Sequence, residues 1–205
     1  MRLLAILFVA SLLFSPLARA ENSEIKPTEK GYKITSKALG ELLMTFPSID
    51  VGGKQLKPES PKSEGNSIKI AYSNGTKLEI TKTAAGVFSY RFHDLKEDVS
   101  KFRFEMKIPI KLAGKMWNID GESGELPKEY AERPMIFQGS AKRFALKDDK
   151  NNGFAVTIPF GFQQLQDSRE WKTNEFIWFV FSDMPKNESN EANFEVKISP
   201  TPTSK

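Results

Sequence analysis

The segment Phe160–Trp171 concentrates the side chains best suited to chemistry in this 205-residue sequence. Amide, carboxylate and guanidinium groups present planar donors and acceptors that pair with the vicinal hydroxyls of a sugar. An indole face stacks on the apolar face of a pyranose ring. The segment therefore predicts a saccharide-binding site, and its candidate ligand-binding residues are Gln163, Gln164, Gln166, Asp167, Arg169 and Trp171.

The local structure of this segment decides which of these side chains can share a ligand. In a β-strand, Gln163 and Asp167 would point to one face of the sheet. Gln164 and Gln166 would point to the other, so only a loop would present all four together. A structural interpretation is also open: Asp167 and Arg169 would form a surface ion pair, which contributes little to stability, and the nearby indole would fill the core.

A second candidate is Trp117, which lies in the segment Gly114–Gly121 beside Asn118 and Asp120. An aromatic ring next to amide and carboxylate groups at a strand end could line a saccharide groove. The other interpretation is that a tryptophan on a strand of an all-β domain belongs to the core. The sequence leaves both open.

Paired carboxylates for glycoside hydrolysis are numerous, but their separations do not follow from the sequence. The lone His93 alternates with Phe92 and is expected to face solvent, which argues against a Ser-His-Asp triad. No catalytic residue is therefore assigned. The available acidic residues are Asp120, Glu122, Glu125, Asp167 and Glu170.

The segment Asp148–Gly153 superficially resembles a calcium loop, because it offers several oxygen ligands and ends in glycine. Lys150 interrupts the run and no bidentate glutamate follows at EF-hand spacing. A polar hairpin turn is the preferred interpretation, with structural calcium left open. The absence of cysteine excludes thiolate zinc sites and thiol nucleophiles, and no metal and no cofactor are predicted.

The elements that would position these residues are strands, since apolar residues recur with a period of two from residue 31 onward. The clearest case is 101–111, where apolar residues at even positions alternate with charged ones. Phe88–His93 shows the same alternation and is expected to pair with it as a hairpin. Pro109 cannot donate a ladder hydrogen bond, which predicts an edge strand or a bulge. The run Phe176–Phe181 is apolar on both faces, which predicts a central strand covered on both sides.

Two turns can be predicted in detail. A three-residue loop Ser73–Gly75, with Gly75 left-handed, would pair Ile70 with Leu78 and keep the apolar residues of both strands on one face. The turn Asp148–Gly153 is expected to close another hairpin, because the strands on its two sides place their apolar residues in matching register.

The fold predicted from these patterns is an antiparallel β-sandwich or jelly roll of about ten strands. Irregular segments are expected at 52–66, 121–133 and 183–191, and a short helix is possible near 39–43. The remaining predicted strands are 32–36, 42–46, 115–119, 135–138, 143–147, 154–160, 175–182 and 193–199.

The N-terminus predicts export. Residues 1–20 combine an early arginine, an apolar run and a small-x-small cleavage site, which is typical of a secretory signal peptide. Residues 21–30 are expected to be flexible, 31–199 to form a single β-sandwich domain, and 200–205 to be disordered. The apolar run is too short for a membrane span, so the mature chain is expected to have none.

Composition narrows the compartment and the partners. An exported chain without cysteine favours a bacterial secreted or periplasmic protein, because such a chain has no disulfides. Removal of Arg2 and Arg19 with the signal peptide lowers the 30 basic residues to 28, against 26 acidic ones. This near balance argues against a nucleic-acid partner.

The segments Phe162–Trp171 and Gly114–Gly121 make the chain resemble the carbohydrate-associated β-sandwich modules of bacterial polysaccharide-degrading enzymes, over Phe102–Phe181. The resemblance implies a non-catalytic module that binds a polysaccharide or oligosaccharide, and it carries over no individual ligand residue. Two alternatives stay open. One is a small glycoside hydrolase or polysaccharide lyase that uses acidic residues, and the other is a structural or interaction protein that contacts proteins of the bacterial envelope.

Overall fold

A computed structural model describes residues 24–201, and it has two antiparallel sheets of nine strands each that pack as a β-sandwich. The predicted fold class is confirmed. The predicted signal peptide and residues 202–205 lie outside the described residues. Within 24–201, no helix is long and apolar enough to cross a membrane.

The strands follow one another along the chain with only two short 3-10 helices between them, at Ile110–Leu112 and Ser168–Trp171. The first nine are β1 (Glu24–Pro27), β2 (Gly31–Ser36), β3 (Gly40–Thr45), β4 (Ser48–Val51), β5 (Lys54–Leu56), β6 (Glu59–Glu64), β7 (Ser67–Ala71), β8 (Lys77–Ala84) and β9 (Val87–His93). The others are β10 (Val99–Pro109), β11 (Met116–Ile119), β12 (Glu122–Glu125), β13 (Met135–Ser140), β14 (Arg143–Lys147), β15 (Gly153–Thr157), β16 (Phe162–Asp167), β17 (Glu175–Asp183) and β18 (Ala192–Pro200).

The first sheet has the order β1-β2-β3-β10-β17-β16-β13, and β4 and β5 continue it beside β10. The second sheet has the order β12-β11-β14-β15-β18-β9-β8-β7-β6. The strand β17 is paired on both sides, by β10 and β16, so its predicted central position is confirmed.

The predicted hairpin of Phe88–His93 with the strand at 101–111 is wrong, because β9 and β10 belong to different sheets. Their apolar faces meet across the sandwich instead. The ring centroids of Phe92 and Phe102 lie 6.4 Å apart, and those of Tyr90 and Phe104 lie 5.5 Å apart. Two successive strands with the same alternation of apolar residues can pair side by side in one sheet or pack face to face across two sheets. Here the aromatic faces of β9 and β10 pack on each other.

The prediction that Pro109 marks an edge or a bulge is also wrong. The strand β10 is internal, with β17 on one side and β3 and β4 on the other. Pro109 is its last residue, immediately before the 3-10 helix Ile110–Leu112. At a strand end the missing N–H removes no interior ladder bond.

Both predicted turns are confirmed. Ile70 pairs with Leu78 and Ile68 with Ile80, and Gly75 has a left-handed φ of 87°. The strands β14 and β15 pair across the turn at 148–152.

Residues 24–201 form eighteen strands instead of about ten. The additional ones include β1 in the segment predicted as flexible, β5 and β6 in 52–66, and β12 in 121–133. Strand β3 begins at Gly40, so residues 40–43 form a strand and not the short helix that the sequence also allowed. Thr201, in the tail predicted as disordered, is buried and donates a hydrogen bond from Oγ1 to the Asn151 carbonyl at 2.6 Å. Short strands with polar residues on both faces give no alternation signal.

Candidate functional site

The candidate segment is a strand followed by a single 3-10 turn. The strand β16 lies between β13 and β17, and burial alternates along it. Gln163, Leu165 and Asp167 point into the core, whereas Phe162, Gln164 and Gln166 lie on the outer face of the first sheet. The four candidate residues of the strand therefore divide between two faces, as expected, and Arg169 and Trp171 lie on the 3-10 helix that follows.

Gln163 is fully buried, and both ends of its amide are used inside the core. Its Oε1 accepts a hydrogen bond from the Trp178 indole at 3.0 Å, and its Nε2 donates to the Ala141 carbonyl at 3.0 Å. Because its hydrogen-bonding groups already have protein partners, Gln163 is part of the core and not of an accessible surface.

Asp167 and Arg169 form an ion pair that holds the end of the strand. The Asp167 side chain is 1% exposed and accepts hydrogen bonds from the Arg169 backbone N–H at 3.2 Å and from Nε at 2.9 Å. Arg169 also donates to the carbonyls of Lys128 and Pro127, at 2.8 and 2.9 Å. Its bonds to Asp167 raise the pKa of Arg169. The pair fastens the loop before β13 to the end of β16.

The two candidate tryptophans have opposite environments. Trp117 is buried against the Phe137 ring and directly over Gly124, where a β-carbon would come within about 3.0 Å of the indole. Its Nε1 has no hydrogen-bond partner among the described residues. Trp171, in contrast, is 55% exposed on the 3-10 helix that follows β16.

The outer face of the first sheet brings together amide and aromatic side chains from three strands, and we call it the amide–aromatic face. Phe162 is opposite Phe181, Gln164 is opposite Phe179 in β17, and Gln164 is also opposite Gln138 in β13. Gln166 donates a hydrogen bond to the Gln164 amide oxygen at 3.0 Å. The face consists of Gln138, Phe162, Gln164, Gln166, Phe179, Phe181, Arg103 and Glu105.

Arg103 covers the aromatic part of this face. Its guanidinium carbon lies 4.1 Å from the Phe179 ring centroid and 5.2 Å from that of Phe181, within the range of a cation–π interaction. One nitrogen, Nη2, donates to Glu105 at 3.3 Å. Burial lowers the pKa of Arg103, and Glu105 only partly offsets this effect.

The expectation that β17 is covered on both faces is therefore only partly met. Phe179 is buried, but Ile177 and Phe181 on the same outer face are partly exposed. The cover over Phe179 is the long side chain of Arg103, not another layer of structure. Sequence reasoning did not include Arg103 among the candidate residues, because it could not show that β10 lies beside β17. The alternation that placed Arg103 and Glu105 on the outer face was the available signal.

A cleft of about 760 Å³ lies at one end of the amide–aromatic face. Phe162 and Phe181 form part of its wall, and Lys101, Lys142, Asp120 and Asp183 bring charge to it. The Asp120 carboxylate accepts hydrogen bonds from the backbone N–H groups of Lys142 at 2.6 Å and Arg143 at 3.0 Å. Asp120 thus ties the loop after β11 to β14.

The acidic residues considered for catalysis do not gather at this face. Asp120 and Asp167 are held by the contacts described above, and Glu170 accepts a hydrogen bond from the Tyr130 hydroxyl at 3.2 Å. Glu122 and Glu125 are exposed on β12, in the other sheet. Within residues 24–201, no group of three or more histidine, aspartate or glutamate side chains is placed to hold a metal ion.

The turn at 148–152 has the geometry of a polar hairpin. The Asp148 carboxylate accepts hydrogen bonds from the backbone N–H groups of Lys150 at 2.8 Å and Asn152 at 2.9 Å. Asn151 adopts a left-handed φ of 63°. These local bonds account for the oxygen-rich composition of this segment without a cation.

No family model matches the chain, and no curated protein matches it. Among solved structures, the chain is similar to a glycoside hydrolase family 31 sulfoquinovosidase from E. rectale, with 8% identity, a TM-score of 0.46 and coverage of 88% of this chain and 32% of that chain. It is also similar to a family 92 inverting mannosidase from Bacteroides thetaiotaomicron, with 7% identity, a TM-score of 0.42 and coverage of 83% and 24%. The chain spans about a third of the first structure and a quarter of the second.

Proposed function

We propose that this protein is an exported, non-catalytic glycan-binding protein and that the amide–aromatic face is its binding surface. The observation that carries the proposal is the row of Gln138, Gln164 and Gln166 beside Phe162 and Phe181. Amides offer the paired donor and acceptor that vicinal hydroxyls require, and an exposed aromatic ring packs against the C–H face of a pyranose.

The geometry favours a chain-like ligand over a compact one. Phe162 and Gln166 lie near opposite ends of β16. At the rise of an extended strand, these two residues are about 13 Å apart. Trp171 is exposed just beyond the Gln166 end and supplies a further aromatic surface. A polysaccharide or oligosaccharide that runs along β16 would meet an aromatic ring, then two amides, then an indole.

Binding to a panel of polysaccharides tests this proposal directly. The chain from residue 21 to 205 would be run in native gels that contain starch-, xylan-, mannan-, cellulose- or pectin-type polymers, and affinities measured by calorimetry. At least one polymer should retard the protein. The double variant Phe162→Ala/Gln164→Ala should weaken that binding about tenfold or more, which corresponds to about 1.4 kcal/mol.

A matched control lies on the outer face of the second sheet. Glu195 and Lys197 are exposed and form an ion pair with each other at 3.3 Å, so Glu195→Ala/Lys197→Ala removes two side chains of β18 without a change in net charge. This variant should bind like the unaltered protein. Equal losses in both double variants, or no retardation by any polymer, would contradict the proposal, and release of reducing sugars would favour the enzyme alternative.

Export is the second part of the proposal and has its own test. Expression of the full 205-residue chain in a bacterium should give a processed protein outside the cytoplasm, with Glu21 as its first residue. N-terminal sequencing measures this outcome. An intact N-terminus in the cytoplasmic fraction would contradict it.

A further inference from the structure

Arg103 on the amide–aromatic face has far fewer partners than a structural arginine of the same chain. A guanidinium carries five N–H donors. Arg169 uses all three of its nitrogens in bonds to Asp167 and two carbonyls. Among residues 24–201, the Arg103 side chain has a single hydrogen bond, at 3.3 Å to Glu105. Its Nε is buried and has no hydrogen-bond partner within the part of the chain that the structure describes.

This arrangement is costly for a cation that is removed from water. The Arg103 side chain is 29% exposed. The rings of Phe179 and Phe181 exclude water from one face of its guanidinium. A buried donor without a partner destabilises the folded state, and desolvation of a charge adds to that cost. The cation–π contact compensates only in part, since it supplies no hydrogen-bond acceptor.

We propose that Arg103 is the receptor for an anionic group of the bound glycan, so that the ligand is an acidic saccharide bearing a carboxylate or a sulfate. This inference rests on the proposed glycan-binding function and specifies its ligand. The planar fork of arginine matches the two oxygens of either anion in a bidentate contact. In that contact the anion accepts hydrogen bonds from the Nη groups of Arg103, and the sugar ring lies over the exposed ring of Phe162.

The charges of the adjoining cleft do not favour an anion by themselves, so the preference for acidic over neutral sugars would come from Arg103. In the adjoining cleft, Lys101 and Lys142 form no ion pair with another residue of the described range. Asp183 is opposite Lys101 in the pairing of β10 with β17, and the Asp120 oxygens already accept two backbone hydrogen bonds. Because positive and negative groups balance there, a bidentate contact and not a net positive field would distinguish acidic from neutral sugars.

The test compares polymers that share a sugar backbone and differ in whether that backbone carries anionic groups. Polygalacturonate is paired with its methyl-esterified form, and dextran sulfate with dextran, so that the first pair reports a carboxylate and the second a sulfate. One acidic polymer should bind at least tenfold more tightly than its neutral match. Arg103→Gln should remove that tenfold preference, because it should weaken binding of the acidic polymer more than binding of the neutral one.

Two further variants separate the role of the Arg103 guanidinium from effects of net charge and of misfolding. Arg91→Gln removes the same charge from β9 in the second sheet, where Arg91 is paired with Glu191, and it should retain the preference. Arg103→Lys keeps the charge and removes the planar fork, so it should show an intermediate preference and remain folded by its melting temperature. Equal losses in Arg91→Gln and Arg103→Gln would assign the effect to bulk charge and overturn the inference.

The failures of the two proposals are distinguishable. Binding of neutral and acidic polymers with equal affinity would overturn the role of Arg103 and leave glycan binding intact. Binding of neither member of either pair, and of none of the wider panel, would overturn both.

Discussion

The Trp178 indole donates a hydrogen bond to the Gln163 amide oxygen at 3.0 Å, deep between the two sheets. The same amide donates to the Ala141 carbonyl, so one side chain links β17 to the turn between β13 and β14. Buried polar groups in folded proteins are nearly always paired in this way. Gln163, the buried glutamine of the candidate segment, thus stabilises the fold, and its neighbour Gln164 faces outward.

Replacement of Gln163 should destabilise the protein strongly. In Gln163→Leu, the Trp178 N–H and the Ala141 carbonyl lose their partner while they remain buried, and we expect a loss of about 2 to 4 kcal/mol in the free energy of unfolding. Urea denaturation measures it. The matched variant Gln164→Leu alters the outer face of the same strand and should stay within about 0.5 kcal/mol. Similar values for the two variants would contradict the different roles of these glutamines.

Removal of Arg169 should be more damaging than removal of the whole ion pair. Arg169→Met leaves the buried Asp167 carboxylate without its main partner, and we expect a loss of about 3 kcal/mol. The double variant Asp167→Leu/Arg169→Met should regain part of that stability, because no unpaired buried charge remains. Thermal unfolding measures both, and a double variant less stable than Arg169→Met would count against this interpretation.

Trp117 should act through packing alone. Its indole N–H has no partner among the described residues, so Trp117→Phe loses volume but no hydrogen bond and should cost about 1 to 2 kcal/mol, against about 3 to 5 kcal/mol for Trp117→Ala. Glycan affinity of Trp117→Phe should be unchanged. A selective loss of glycan binding in this variant, with normal stability, would restore Trp117 as a ligand residue.

Acidification should loosen the segment at 187–191. Hydrogen bonds from Arg91 and then His93 lower the pKa of Glu191 below its usual value of 4.5. A lowered pKa in the folded state contributes stability above the usual value, and that contribution is lost as the pH falls through the folded-state pKa. The Leu95 amide, which donates to the Asn190 carbonyl at 3.2 Å, should therefore exchange faster relative to a core amide at about pH 3 than at pH 6.

Glu191→Gln is the control for this pH dependence. The variant removes the titrating carboxyl, so the relative protection of Leu95 should no longer change between the two pH values. An unchanged pH response in the variant would assign the loosening to another group.

The sequence predicted the strands that have one solvent-exposed face and one buried face. The alternation in β10 and the parity around Gly75 depend on neighbours along the chain, so strand, face and register followed. Which strands lie side by side depends on contacts across the sandwich, and β9 and β10 illustrate this: their equal alternation arises from face-to-face packing. Short polar strands such as β6 carry no pattern at all.

The site was predictable to the same extent. The division of Gln163 from Gln164 follows from strand parity. Arg103 reaches the face only through the pairing of β10 with β17, in which it lies opposite Phe181, a residue distant in the sequence. Burial of Trp117 depends equally on its distant partner Phe137. Long-range pairing, and not composition, decides which polar side chains share a surface.

The most direct test of the amide–aromatic face is a nuclear magnetic resonance titration that follows the glutamine side-chain amides. An oligogalacturonate and a neutral cello-oligosaccharide would be added to protein with assigned resonances. Signals of Gln138, Gln164 and Gln166 should shift with one common affinity, while those of the buried Gln163 stay fixed. Shifts confined to the second sheet, with these three amides unchanged during saturable binding, would contradict the central claim.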